Sequence, residues 1–159
     1  MKYCGQCGAK MMLRLIDGVQ RNGCANSSCG YVLWDNPTPV VAAIVETPEG
    51  VVLAHNVLWP AGVYGLVTGY LERNEQPEMA VLREVEEELG LKGDAVNFIG
   101  HYIFEMKNQL LIAYHVRAEG EISLGDELDH HKVIPVSKLK SWPFGTGFAV
   151  ADWLKTKGR

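Results

Sequence analysis

An α/β fold, with a mixed β-sheet lying between helices and a small cysteine-rich ribbon ahead of it, is what the sequence predicts. Three observations predict it. All four cysteines fall at Cys4, Cys7, Cys24 and Cys29, so the N-terminal stretch is chemically set apart from the rest. Beyond it, β-branched apolar runs and helical patterns follow in the order β-β-β-α-β-β-β-α, which suits a sheet covered by helices. The first of those helices carries Glu84, Glu86, Glu87 and Glu88 close to its end.

The ribbon spans residues 1–35. Its cysteines read Cys4-x2-Cys7 and Cys24-x4-Cys29, flanked by Gly5, Gly8 and Gly30, where backbone turns tightly. In a reducing compartment such pairs predict one tetrahedral, structural Zn2+, since four thiolates leave no open coordination position. Two disulfides or four free thiols are the alternatives. Residues 36–159 form the second, larger domain. Asn36-Pro37-Thr38-Pro39 reads as a stiff linker. PVVAAIVET and VVLAHN, separated by Pro48-Glu49-Gly50, predict a hairpin. Residues 63–71 look extended but broken by glycine. A helix over 77–89 is bounded by Pro77 in its first turn and Gly90 at its stop. NFIGHYIFEM and QLLIAYHVRAEG predict two strands around Lys107-Asn108, and KVIPVSKL a short one. GFAVADWLKTK predicts a closing helix with Phe148, Ala151 and Leu154 on one side.

Composition excludes little. The chain is 47% hydrophobic and 21% charged, as expected of a globular protein with a real core. Its net charge of −4 gives no argument for nucleic-acid or membrane binding. No apolar run reaches the length of a membrane span, and MKYCGQCGAK is no signal peptide. A cytoplasmic location is the expectation.

The glutamate helix poses a physical problem. Like charges at helical spacing repel, and anions at a helix C-terminus oppose its dipole. At about 100° per residue, Glu84, Glu87 and Glu88 share an arc of roughly 100°, while Glu86 points elsewhere. Leu82, Val85 and Leu89 make an apolar stripe beside them, and Ala80 is expected to leave room on the carboxylate face. Few lysines are interleaved to pair with the acids. A bound divalent cation removes both costs, and an oxygen-only ligand set favours Mg2+ or Mn2+ over Zn2+.

The stretch from Gly69 through Glu75 to Arg83-Glu84-Val85-Glu86-Glu87-Glu88-Leu89-Gly90-Leu91 resembles the Nudix box at every fixed position. The resemblance implies an α/β/α sandwich that hydrolyses the diphosphate of a nucleoside diphosphate linked to another group, such as a dinucleotide or ADP-ribose. It implies that Glu84, Glu87 and Glu88 bind the catalytic cation, helped by the Gly69 carbonyl. It further implies that Arg83 orients those glutamates and that Glu75 joins loop to helix. The ribbon, Asp35-Asn36-Pro37 and Gly65-Leu66-Val67-Thr68-Gly69-Tyr70-Leu71-Glu72 resemble the zinc-ribbon branch that includes NADH pyrophosphatases. Relatives in that branch often dimerise, so a homodimer is an expectation of the resemblance.

The resemblance implies a general base that is either a helix glutamate or a downstream loop carboxylate. Counted back from Val136-Ser137-Lys138-Leu139, Glu127 matches the downstream glutamate of that branch, as base or as a further metal ligand. His130 and His131, read as loop residues, have the chemistry of a ligand or a base but are assigned to the surface, where adjacent loop histidines usually lie; His55, His101 and His115 are assigned to packing or to the substrate side. The NADH pyrophosphatase signature Ser-Gln-Pro-Trp-Pro-Phe-Pro is missing: Gly100-His101-Tyr102-Ile103-Phe104-Glu105-Met106-Lys107 stands in its place, and Trp142-Pro143-Phe144 comes too late. Tyr102 and Phe104 share a strand face and are candidates to stack on a base. The expected ligand is thus a small nucleoside diphosphate derivative, with no membrane partner and nucleic acid disfavoured. A nucleotide sensor without turnover, and a module that processes RNA 5′ caps, are the two other function classes. An intact box speaks against the first; only Tyr3, Tyr31 and Trp34 as ribbon aromatics speak against the second.

Overall fold

The computed structural model describes residues 1–158, and its contacts divide the chain into two compact units, Met1–Asn36 and Pro37 onward. The first unit is a three-stranded antiparallel sheet of β1 (Met11–Ile16), β2 (Val19–Cys24) and β3 (Val32–Leu33). Asp17 and Gly18 both take positive φ, at 51° and 78°, which is the twist a two-residue hairpin needs between right-twisted strands.

The second unit holds β4 (Thr38–Thr47), β5 (Gly50–Asn56), β6 (Val67–Tyr70), α1 (Pro77–Leu89), β7 (Lys92–Phe104), β8 (Gln109–Glu119), β9 (Leu128–Ile134) and α2 (Gly147–Thr156). The sheet runs β7-β8-β4-β5-β9, with β6 beside β4. β4 and β8 pair in parallel and the other neighbours antiparallel, so the sheet is mixed as expected. One edge of β4 is divided: Val45–Thr47 pair with β5, whereas Val40–Ala43 pair with β6. Its run of buried residues from Val40 to Val45 is continuous because both sheet faces are covered. Val41, Ala43 and Val45 face the core shared with Val81, Val85 and Leu89 of α1. Ile44 faces the core of Val150, Trp153 and Leu154 of α2.

Several expectations are corrected. Thr38 and Pro39 belong to β4 and pair with Gln109 and Leu110, so the stiff linker is shorter than expected. Of the glycine-broken stretch only Val67–Tyr70 is strand. β7 starts at Lys92, ahead of Asn97, and crosses two register shifts. β9 begins at Leu128, so Asp129, His130 and His131 are strand residues and not loop residues. α2 buries Ala149, Val150, Trp153 and Leu154, while Phe148 is exposed; its inner face is turned from the expected one. No helix among the described residues is long and apolar enough to cross a membrane.

Candidate active site

Helix α1 begins at Pro77, whose missing N–H would have no partner there anyway, and ends where Gly90 takes φ 67°. Ala80, Val81, Val85 and Leu89 are buried, and Glu84 and Glu88 lie on the same arc among them. Ala80 is fully packed in the core, so it opens no approach to the carboxylates, contrary to expectation. The carboxylate face is thus partly sunk into the core face. Only 12% of the Glu84 side chain is exposed, against 58% for Glu87, so only Glu87 reaches well into water.

Arg83 is the hub of the site. Its Nε donates to Glu75 Oε1 at 2.8 Å, and Nη2 to Glu75 Oε2 at 3.0 Å and to the Tyr70 carbonyl at 3.1 Å. Its Nη1 donates to Glu84 Oε1 at 2.7 Å and to Glu87 Oε2 at 2.9 Å. These five bonds use every donor of a planar guanidinium, an arrangement that lysine cannot copy. Glu75 also accepts the Glu72 amide at 2.9 Å, fixing the turn that enters the helix. The Arg83 guanidinium, followed by that amide, draws the Glu75 carboxyl down to about 2. Burial pushes Glu84 up, and Arg83 opposes the rise.

Glu88 has no such partner. Its Oε2 is buried and meets no hydrogen-bond donor, one of two such side-chain atoms among the described residues. Burial raises its pKa, and the charges of Glu127, Glu84, Glu87 and Asp126 raise it further. A carboxylate held this way calls for a cation. Glu88 and Glu127 line a cavity of about 30 Å³ with Asn56, Trp59, Leu66 and Thr68, room for roughly two waters. Among the described residues no three of these carboxylates close to within 4.8 Å of one another, and Arg83 Nη1 holds Glu84 and Glu87 on one donor.

Gly69 sits on β6 opposite Val41, and a Cβ there would land on the Glu84 carboxylate. Only glycine lets this backbone lie against the acid. The opposite wall is the segment before β9. Its Ser123 N–H donates to the Leu89 carbonyl at 2.9 Å and its Gly125 N–H to the Glu88 carbonyl at 3.0 Å. These donors satisfy carbonyls at the negative end of α1 and carry Glu127 to the glutamates. Glu127 is fastened from the end of β5: the N–H of Val57, just past the strand, donates to its carbonyl at 2.9 Å, and Asn56 Nδ2 approaches its Oε2 at 3.5 Å.

The structure therefore brings together Gly69, Glu75, Arg83, Glu84, Glu87, Glu88 and Glu127. Tyr102 and Phe104 lie elsewhere: the Tyr102 hydroxyl donates to Asp152 Oδ2 at 2.9 Å, and Phe104 lies against Gly145. Neither lines the cavity of Glu88 and Glu127. Asn56, Ser123 and Gly125 were missed by the sequence reading. Gly125 alone left a signal, a glycine beside an acidic run.

In the first unit none of the four cysteines is paired in a disulfide, and their Sγ atoms lie within 4.8 Å of one another. Cys4 and Cys29 are 3.8 Å apart, and Cys7 and Cys24 3.4 Å. Tetrahedral Zn2+ with bonds near 2.3 Å holds its sulfurs about 3.8 Å apart, so the cage fits.

The NUDIX domain family matches residues 36–151. Among curated proteins the chain is similar to the NAD-capped RNA hydrolase NudC of Pseudomonas aeruginosa, 29% identical over 122 residues, which are 76% of this chain and 42% of that protein. It is similar also to the NAD-capped RNA hydrolase NudC of Stutzerimonas stutzeri, 30% identical over 144 residues, 89% of this chain and 51% of that one. The chain spans about half the length of the curated relatives it matches. Among solved structures, a NUDIX hydrolase from Nitrosomonas europaea aligns with TM-score 0.70 at 24% identity, over 87% of this chain and 80% of that one. An ADP-ribose pyrophosphatase from Streptococcus suis aligns with TM-score 0.62 at 18% identity, over 78% and 94%; both likenesses speak for the fold. With most of the chain matched by the family, and the box residues gathered at one helix end, the chain belongs to the Nudix family.

Proposed function

We propose that this chain is a divalent-cation-dependent pyrophosphohydrolase that cleaves the diphosphate of a nucleoside diphosphate joined to another group. The observation that carries this reading is the buried, unpartnered Oε2 of Glu88 beside Glu84 and Glu127. Glu84, Glu87, Glu88 and the Gly69 carbonyl would hold Mg2+ or Mn2+, the hard cations that oxygen donors favour. Such a cation, when bound, offsets the charge of a diphosphate and makes water a better nucleophile near neutral pH. Arg83 holds two of the acids in place and is itself held by Glu75. Glu127 is the carboxylate that accepts the water proton; its segment is tied to the end of α1 and to β5. The ribbon cysteines hold one structural Zn2+. They supply four thiolates, a set that closes the coordination sphere and keeps this ion out of the chemistry.

The substrate read best from relatives named NAD-capped RNA hydrolases is an NAD-type dinucleotide. A second reading, the same bond at the 5′ end of an RNA, is favoured by those names and by the ribbon, where Arg21 lies 5.0 Å over exposed Trp34. One experiment tests both. NADH, NAD+, ADP-ribose, dinucleoside polyphosphates and NAD-capped RNA are each incubated with Mg2+ or Mn2+, and products are resolved. Cleavage within the diphosphate of at least one is expected, and lost with EDTA. No turnover of any of them overturns the enzyme reading in favour of a sensor; turnover restored by Zn2+ but not by Mg2+ or Mn2+ overturns the metal assignment.

A further inference from the structure

We propose that His55, Asp129 and His130 form a second cation site, separate from the glutamates of α1, that takes one zinc-class divalent ion. Asp129 Oδ1 lies 2.6 Å from His55 Nδ1 and 3.1 Å from His130 Nδ1, and the donor atoms of all three residues lie within 4.8 Å of one another. Tetrahedral Zn2+ with bonds near 2.0 Å holds its donors roughly 3.3 Å apart, so side-chain shifts of no more than about 1.5 Å complete the set. Two imidazoles with one carboxylate suit a borderline ion such as Zn2+, Co2+ or Ni2+, and not Mg2+.

Two independent features aim these donors at one point. The first is the orientation of His55. Its Nε2 lies 3.1 Å from the Pro60 carbonyl, which can only accept, so Nε2 carries one proton, and Nδ1 shares a second with Asp129 at 2.6 Å. Anchoring one ring nitrogen on a backbone carbonyl while the other faces the ion is how histidine ligands are held. The second is a β-bulge. Asn56 pairs with Leu128 and His55 with His130, which leaves Asp129 as the extra residue of β9. Successive strand residues otherwise point to opposite faces; the bulge swings Asp129 and His130 to the same side, beside His55. The ring of His55 is buried, whereas the side chains of Asp129 and His130 are 41% and 69% exposed, which leaves an entry path from solvent.

Binding exchanges the proton between His55 Nδ1 and Asp129 for the cation, with the proton released to solvent. The ion would tie β5 to β9 two residues beyond Glu127. The site does not depend on the proposed hydrolase activity, because its test reads metal and not turnover.

The test uses the full chain with its ribbon already loaded, in excess Mg2+ so that the box carboxylates are occupied. Zn2+ is added at low micromolar concentration, excess ion is removed, and bound metal is counted. The wild type should gain roughly one Zn2+ per chain over the ribbon ion and melt at a higher temperature. His130→Ala, at an exposed position, should fold normally and gain neither; Asp129→Asn should behave likewise. Glu88→Gln should retain both gains, which separates this site from the box. No gain in the wild type would leave His55 and Asp129 as an ion pair only and overturn the proposal. An equal gain in His130→Ala would place the extra ion elsewhere and overturn it as well.

Discussion

Glu86, Glu87 and Glu88 are neighbours in sequence with three different environments. Glu88 is the sunken acid without a donor, Glu87 a surface acid on Arg83, and Glu86 an exposed side chain. Glu88→Gln should therefore abolish most turnover, by roughly 10²-fold or more, yet raise the melting temperature of the metal-free protein. The sign follows from its raised pKa: a raised acid contributes stability at low pH that is lost as pH rises through its folded value, so at neutral pH its charge is a burden. Glu87→Gln should lose turnover similarly but cost a few tenths of a kcal/mol, the worth of an exposed helical ion pair. Glu86→Gln should stay near normal in both; equal damage there would refute the helical-face argument. Glu75 behaves in the opposite sense to Glu88. Its carboxyl is lowered from 4.5 to about 2 by Arg83, so its stabilisation is present above the ordinary value and lost as pH falls through about 2. Acid titrations of wild type and Glu75→Gln should show a stability gap at neutral pH that closes across that window. A gap independent of pH would show that packing, not the ion pair, makes the difference.

Among elements, α1 was the most legible, since Pro77 and Gly90 punctuate it and its apolar spacing is strong. β9 was not: Asp129, His130, His131 and Lys132 are exposed residues of a sheet-edge strand and show no alternation to read. The N-terminal strands were hidden for a related reason, since Leu13, Leu15 and Val19 are exposed and bury no face. The α2 error was one of phase, with Phe148 outside and Ala149 inside. The box named the acids and Arg83, but not what turns the other end of the site into a wall. Ser123 and Gly125 cap carbonyls of α1 across a gap of more than thirty residues, a tertiary contact that no local pattern announces. Gly125 tests that wall. A Cβ there would stand 2.6 Å from the Glu87 carbonyl and 3.3 Å from Glu88 Cα, both backbone atoms that cannot swing aside. Gly125→Ala should cost about 1–3 kcal/mol of stability and push the Glu127 segment away from the helix. Turnover should fall more than that loss explains, by up to roughly 10²-fold, with Mg2+ affinity less affected than in Glu88→Gln. Normal turnover in a folded Gly125→Ala would refute the role given to this segment in placing Glu127.

Across the whole molecule, the two units rest on different physics. From Pro37 onward, two apolar cores lie on opposite faces of one sheet, each closed by a helix. In Met1–Asn36 the buried residues are Cys4, Gly23 and Cys24, while Tyr3, Met12, Leu13, Leu15, Val19 and Trp34 are exposed. So few buried residues make no apolar core, so ligation by the four thiolates has to supply what a core would. Removing the metal should then act on one unit. With a strong chelator, amides of β1 and β2 should lose hydrogen-exchange protection, whereas those of β4, β8 and α1 should keep it. Cys7→Ser should give the same pattern without chelator, and added Zn2+ should restore protection in the wild type but not in the variant. The box cation should not substitute, because Mg2+ has no preference for thiolate. Loss of protection in both units together would refute this division of labour, and unchanged protection in β1 and β2 would show that the ribbon stands without its metal.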